Sequence, residues 1–194
     1  MRMTAPLFAT PLARRIVTPL ALVLVVALGG CSGDTPESNT PASAEKASGG
    51  GDGKGIKQGD KAPQFALDSM NGAGKMTIAP GKVTIVDFWA TWCEPCKKSF
   101  PKLQELYVKY KASGLEIVAV SVDDEKNGIT DFAKTHGAKF PVGWDDGKKL
   151  AEKWKPENMP SSYIVGKDGT VKFVHRGYHD GEENEVEKEI KSLL

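Results

Sequence analysis

Cys93 and Cys96 are separated only by Glu94 and Pro95, within the run Trp89-Ala90-Thr91-Trp92-Cys93-Glu94-Pro95-Cys96. Two intervening residues place the sulfurs within one helical turn, a separation that a disulfide spans with little backbone movement. If a helix starts at Cys93, the first sulfur faces unpaired N–H groups and the positive end of the helix dipole, which favours thiolate over thiol. The second lies one turn inside, where burial keeps it protonated until it is needed. This pattern suits thiol-disulfide exchange, with Cys93 as attacking nucleophile and Cys96 as resolving thiol, and it calls for no cofactor or metal. A purely structural disulfide is a poor alternative, because so small a loop constrains little of the unfolded chain. A zinc half-site is another, since His175 and His179 have the H-x3-H spacing of a metal pair. They lie 79 and 83 residues beyond Cys96 and follow a strand rather than sitting on a helix, so they read as ordinary surface or strand-end residues.

The cysteines need a strand to deliver them and a helix to start on them. Residues 83–89 (VTIVDFW) form a β-branched run suited to a buried central strand, and a helix is predicted from about residue 93 to 112, with Phe100, Leu103, Leu106 and Tyr107 on one stripe. Residues 115–122 read as a second buried strand, 129–136 as a helix closed by Gly137, 140–144 as a strand and 148–154 as a short helix. Strands at 162–165 and 171–174 flank Asp168-Gly169, a hairpin signal, and 182–194 makes an amphipathic helix with Val186, Ile190 and Leu193 on one face. Strands alternating with helices, followed by a hairpin and a last helix, predict an α/β fold with a central mixed sheet flanked by helices.

The rest of the 194 residues divides differently. With 26 Lys+Arg against 25 Asp+Glu, the chain lacks the basic field that nucleic acid binding requires. Residues 1–30 carry Arg2, Arg14 and Arg15, no acid, and an apolar run from Ile16 to Leu28 that is too short to cross a bilayer as a straight helix. They read as a secretory signal, with a short membrane anchor as the alternative. Residues 31–59 are rich in Ser, Gly, Pro, Thr and Ala and form a flexible linker, which leaves 60–194 as one domain. Leu28-Gly29-Gly30-Cys31 resembles the bacterial lipobox, which implies lipid on Cys31 as the first residue of the mature chain. Several acyl chains, at ~0.8 kcal/mol per buried methylene, anchor a protein stably.

VDFWATWCEPC resembles the active-site strand and helix start of thioredoxins, and WCEPC in an exported lipoprotein resembles the TlpA and ResA group of membrane-tethered thiol-disulfide oxidoreductases. Supporting matches are Gly59-Asp60-Lys61-Ala62-Pro63-Gln64-Phe65, similar to the strand that opens that group's domain; Pro101, the helix-kinking proline; residues 125–142, similar to its central βα insertion; and Met159-Pro160, similar to its cis-proline loop. The resemblance implies a thioredoxin-like fold with an N-terminal extension. It also implies a buried Asp87 that takes the proton from Cys96, and a substrate-contacting surface made of Trp92, Glu94, Pro95, Met159 and Pro160. Asp87 could instead be a strand-edge residue satisfied by backbone donors, and Trp89 could be site or simply core. Ser99 stands where ResA-type proteins often carry a glutamate, so their particular proton chemistry does not transfer. Glu94 is expected to raise the Cys93 pKa slightly and favour the oxidised form.

The expected activity is reduction of disulfides in exported proteins, with apocytochrome c as one client. The protein would be a periplasm-facing monomer held at the inner or outer membrane through Cys31 and re-reduced by a DsbD- or CcdA-like membrane donor. A copper-site metallochaperone of the Sco type would carry C-x3-C rather than C-x2-C. A peroxiredoxin-like peroxidase would need Pro and Thr where Val86 and Ala90 stand.

Overall fold

The computed structural model describes residues 54–72 and 74–194; the leader, Cys31 and most of the linker lie outside the described residues. A small hairpin of Leu67–Asp68 (β1) and Lys75–Met76 (β2) precedes the central strand Val83–Trp89 (β3) and the helix Glu94–Tyr110 (α1). Leu115–Ser121 (β4), Ile129–Thr135 (α2), Val142–Trp144 (β5) and Lys149–Trp154 (α3) follow, then Ser161–Val165 (β6), Val171–Arg176 (β7) and Glu182–Leu193 (α4). The five-stranded sheet has the order β5-β4-β3-β6-β7, with β4 parallel and β6 antiparallel to β3. This is the mixed sheet that the sequence predicts.

Every residue of β3 is buried, as expected of a central strand with helices on both faces. Alternation along β3 sends Trp89 to one face, where it meets Phe100 of α1 at 4.6 Å and Phe132 of α2 at 4.5 Å between ring centroids. Phe88 points to the other face, against Trp154 of α3 and Tyr163 of β6. The helix α1 buries Cys96, Ser99, Phe100, Leu103, Leu106, Tyr107 and Tyr110, a stripe spaced by three and four residues. Pro101 sits inside it and has no N–H to give to the preceding turn.

Four details differ from the sequence expectation. The segment 59–65 makes one isolated bridge, Lys61 to Thr170, rather than a strand; Ala62 N–H still reaches the Gly169 carbonyl, but Pro63 has no donor with which to continue a ladder. Strand β5 begins at Val142 instead of residue 140, since Pro141 likewise has no N–H, and Phe140 turns into the aromatic cluster instead. The β1–β2 hairpin has no counterpart in the sequence pattern. It lies against Gly143, where an added Cβ would fall 2.7 Å from the Met76 sulfur. Ile56, ahead of the expected domain boundary, donates its N–H to the Trp154 carbonyl at 3.0 Å and packs on the core.

Phe100 is fully buried among Trp89, Phe132 and Phe140, directly behind the helix turn that carries the cysteines. Phe100→Ala is expected to cost about 3–5 kcal/mol in urea denaturation. A loss below about 1 kcal/mol would show that this cluster does not hold α1 to the sheet.

Candidate active site

Sheet, turn and helix converge on Cys93. It is the N-cap of α1, with φ −80° and ψ 108°, and its sulfur accepts the Cys96 N–H at 3.2 Å. The two cysteines are joined as a disulfide with Cα atoms 5.3 Å apart, and both are buried. Pro95 occupies the first helical turn, where its missing N–H costs nothing. A backbone donor already aimed at Cys93 Sγ would stabilise a thiolate there when the bond opens.

Around the sulfurs, Trp92 is 68% exposed and supplies an apolar surface beside a buried disulfide. Met159-Pro160 is a cis peptide immediately before β6. Because Ser161 pairs with Phe88, this turn lies at the same end of the sheet as the chain that runs from Trp89 to Cys93. Glu94 is exposed and paired with Lys97 at 2.6 Å, and that hydrogen bond, with the lysine's charge, holds its carboxyl below the usual range. The expected repulsion of a Cys93 thiolate by Glu94 is therefore opposed by a lysine on the same turn. Trp89 is core, fully buried in the aromatic cluster.

Asp87 is fully buried on the Trp89 face of β3, the face that α1 covers with Cys96 and Ser99. It is not satisfied by backbone donors at a strand edge. Its Oδ1 accepts the Ser162 hydroxyl at 2.5 Å, while Oδ2 has no partner. Burial pushes its pKa up to about 7; the Ser162 hydrogen bond works against that rise and the charge of Glu182 adds to it. A carboxyl that titrates near neutrality can accept a proton and return it within one reaction cycle.

Two further features escaped the sequence reading. Asp123, just beyond β4, accepts the Thr91 N–H at 3.0 Å, the Thr91 hydroxyl at 2.7 Å and the Ser121 hydroxyl at 2.6 Å. It thus fixes the turn that presents Trp92 and Cys93, and Trp144 Nε1 secures its backbone carbonyl at 2.8 Å. The available signal was its position at the carboxyl end of a parallel strand, where α/β folds place functional loops. The second feature is a correction. His175 is not an ordinary strand-end residue: it is 11% exposed and clamped between Glu182 at 3.0 Å and Glu189 at 2.7 Å. Its partners lie on α4, a separation that sequence spacing does not reveal.

Comparison with known proteins agrees with this geometry. The model of the AhpC/TSA family matches residues 58–174. Thiol-disulfide oxidoreductase ResA of Bacillus subtilis (strain 168) is 36% identical over 123 residues, covering 63% of this chain and 69% of that protein. The ResA of Bacillus thuringiensis (strain Al Hakam) is 32% identical over 151 residues, covering 77% and 82% respectively. Among solved structures, one from Chlorobium tepidum, provisionally designated a thiol:disulfide interchange protein DsbE, is similar with a TM-score of 0.67 and 32% identity, over 71% of this chain and 98% of that one.

The raised pKa of Asp87 has a consequence for stability. The folded state holds its proton up to about pH 7, whereas the unfolded chain releases it near the ordinary carboxyl value, so stability falls as pH rises between about 4 and 7. Asp87→Asn keeps an acceptor for Ser162 and removes that loss, which three pH units bound at roughly 4 kcal/mol. In urea denaturation of the oxidised protein, the variant should therefore gain more stability at pH 8 than at pH 4. A difference independent of pH would show that Asp87 titrates normally.

Proposed function

Since this chain belongs to the AhpC/TSA family of the thioredoxin superfamily and is a thiol-disulfide oxidoreductase, we propose that it works as a reductase of disulfides in exported proteins. The observation that carries the reading is the buried carboxyl of Asp87 on the strand that delivers a capped, paired Cys93 and Cys96.

In the reduced enzyme the Cys93 thiolate attacks one sulfur of a client disulfide. The client bond breaks, a Cys93–client bond forms, and the released client thiolate takes a proton from solvent. Asp87 then accepts the Cys96 proton, and the new thiolate attacks Cys93 Sγ. The second client thiolate leaves, two electrons have passed to the client, and the Cys93–Cys96 disulfide is restored. Trp92, Glu94 and Pro95 on one side, and Met159 with Pro160 on the other, form the surface along which an extended client segment lies.

A reductase in an oxidising compartment needs electrons from elsewhere, and a DsbD- or CcdA-like membrane dithiol fits that need. Lipidated Cys31 and the linker of residues 31–59 would hold the domain of residues 60–194 near the membrane of the bacterial envelope, after removal of residues 1–30. Among the described residues no helix is long and apolar enough to cross a membrane. Apocytochrome c, whose C-x-x-C-H thiols must be reduced before haem attachment, is a client of suitable chemistry.

Insulin reduction with dithiothreitol tests the chemistry. Cys93→Ser should fall to the uncatalysed rate, and Cys96→Ser should stall as a mixed disulfide; wild-type activity in Cys93→Ser would overturn the assignment. Fractionation of the native host tests the tether. Cys31→Ser should move the protein from membranes to the soluble fraction, and unchanged membrane association would contradict lipidation at Cys31.

A further inference from the structure

The exchange chemistry makes no use of a groove of about 680 Å³ that lies between the segment leading into β1 and the helix α3. Its floor is apolar, made by Phe65, Leu67, Met70, Trp144 and Leu150. Three exposed lysines stand over that floor: Lys126 after β4, and Lys149 and Lys153 one turn apart on α3. Of the three acids on the groove, Asp145 is buried and engaged in capping α3, where it accepts the N–H groups of Leu150 at 2.9 Å and Ala151 at 2.7 Å. Asp68 is paired with Lys75 at 2.6 Å, which leaves Asp146. Lys126, Lys149 and Lys153 form no ion pair among the described residues, so the rim carries an excess of positive charge.

The groove also borders backbone that the fold leaves unpaired. Residues 64–68 alternate between exposed and half-buried, the period of an extended chain, with Phe65 and Leu67 packed on the core. Leu67 and Asp68 pair with β2, whereas the N–H groups of Gln64, Phe65 and Ala66 meet no backbone acceptor among the described residues. Free N–H groups along an extended stretch, beside an apolar floor, suit a second extended chain better than a compact solute. The groove is also close to the reacting sulfurs. Trp144 is in register with Ser121, and Ser121 with Trp89, so the groove wall stands two strands, about 10 Å, from the end of β3 that runs on to Cys93. Asp123 ties this wall to the cysteine turn, taking the Trp144 Nε1–H on its backbone carbonyl at 2.8 Å and the Thr91 N–H on its carboxylate at 3.0 Å.

We propose that this groove docks an extended, acidic segment of the client polypeptide, outside the stretch that carries the disulfide. Apolar side chains at alternate positions of the segment enter between Phe65, Met70 and Trp144. The carboxylates between them meet Lys126, Lys149 and Lys153, and the segment's carbonyls accept the free N–H groups of residues 64–66. A second contact of this kind raises the local concentration of the client disulfide at Cys93 without touching the sulfurs. It therefore acts on client binding and leaves the exchange step as described.

The inference rests on the reductase reading, so binding is measured on the resting oxidised protein, without turnover. The probe is a cysteine-free peptide alternating glutamate with leucine, titrated at low ionic strength while the indole N–H resonances are followed by NMR. Trp144 is assigned by loss of its signal in Trp144→Phe. Saturable binding that shifts the Trp144 resonance is expected, weakened by added salt and weakened about tenfold or more when Lys126→Glu, Lys149→Glu and Lys153→Glu are combined. Each single reversal should weaken it by a smaller factor, and an unchanged melting temperature separates loss of binding from loss of fold. Equal affinity in the reversal variants, equal affinity for a peptide with lysine in place of glutamate, or a shift confined to Trp92 would overturn the proposal. So would binding of phosphatidylglycerol vesicles through the same lysines with none of the peptide. Insulin reduction by wild type, measured alongside, tells the two readings apart: peptide bound but insulin untouched counts against the reductase, and insulin reduced with no peptide bound counts against the groove.

Discussion

A carboxyl group buried in the middle of an apolar sheet is the constraint around which this structure is arranged. Removing a carboxylate from water without full compensation is costly, and Asp87 receives one hydroxyl donor, Ser162, while its second oxygen has none. A fully paired aspartate would stay ionised and serve only the fold. An aspartate in a wholly apolar pocket would stay protonated. The single donor, set against deep burial and the nearby charge of Glu182, leaves the group near the midpoint between the two states at neutral pH. The protein gives up stability in that range, in keeping with a strained group at a working site.

The remaining devices bring sulfur chemistry to that carboxyl. Strand β3 carries Asp87 and then runs directly into the cysteine turn. Asp123 ties Thr91 by accepting its N–H and its hydroxyl, and is itself held by the Ser121 hydroxyl and, at its backbone carbonyl, by Trp144. Cys93 caps α1 with its own sulfur, so the helix start and the proposed nucleophile are one feature. Phe100 and Trp89 press the first turns of α1 to the sheet, which keeps Cys96 on the Asp87 face. Because these contacts come from β3, β4, β5 and α1, a loss of packing in any of them would be felt at the sulfurs.

The strong local signals were legible in the sequence: the β-branched run of β3, the helical stripe of α1, the Asp-Gly hairpin turn and the cysteine spacing. Boundaries failed where proline removes a donor, at Pro63 and Pro141, because a ladder is a two-sided requirement and the hydrophobic pattern records only one side. The short β1–β2 hairpin carries too few residues to show periodicity and is held against Gly143 by tertiary contact. Cys93, Cys96, Asp87 and the Met159-Pro160 turn were found from motifs close in sequence. Asp123 and the His175 clamp were not, since their meaning depends on partners brought together by the sheet register and by α4.

The proposed reductase cycle turns on the transfer of the Cys96 proton to Asp87. Its most direct measurement is the single-turnover rate at which Cys96 displaces a small thiol from a mixed disulfide preformed on Cys93, followed across pH. The structure predicts a rate that changes with an inflection near pH 7 in wild type and loses that inflection in Asp87→Asn. An identical pH profile in the two proteins would contradict the central claim.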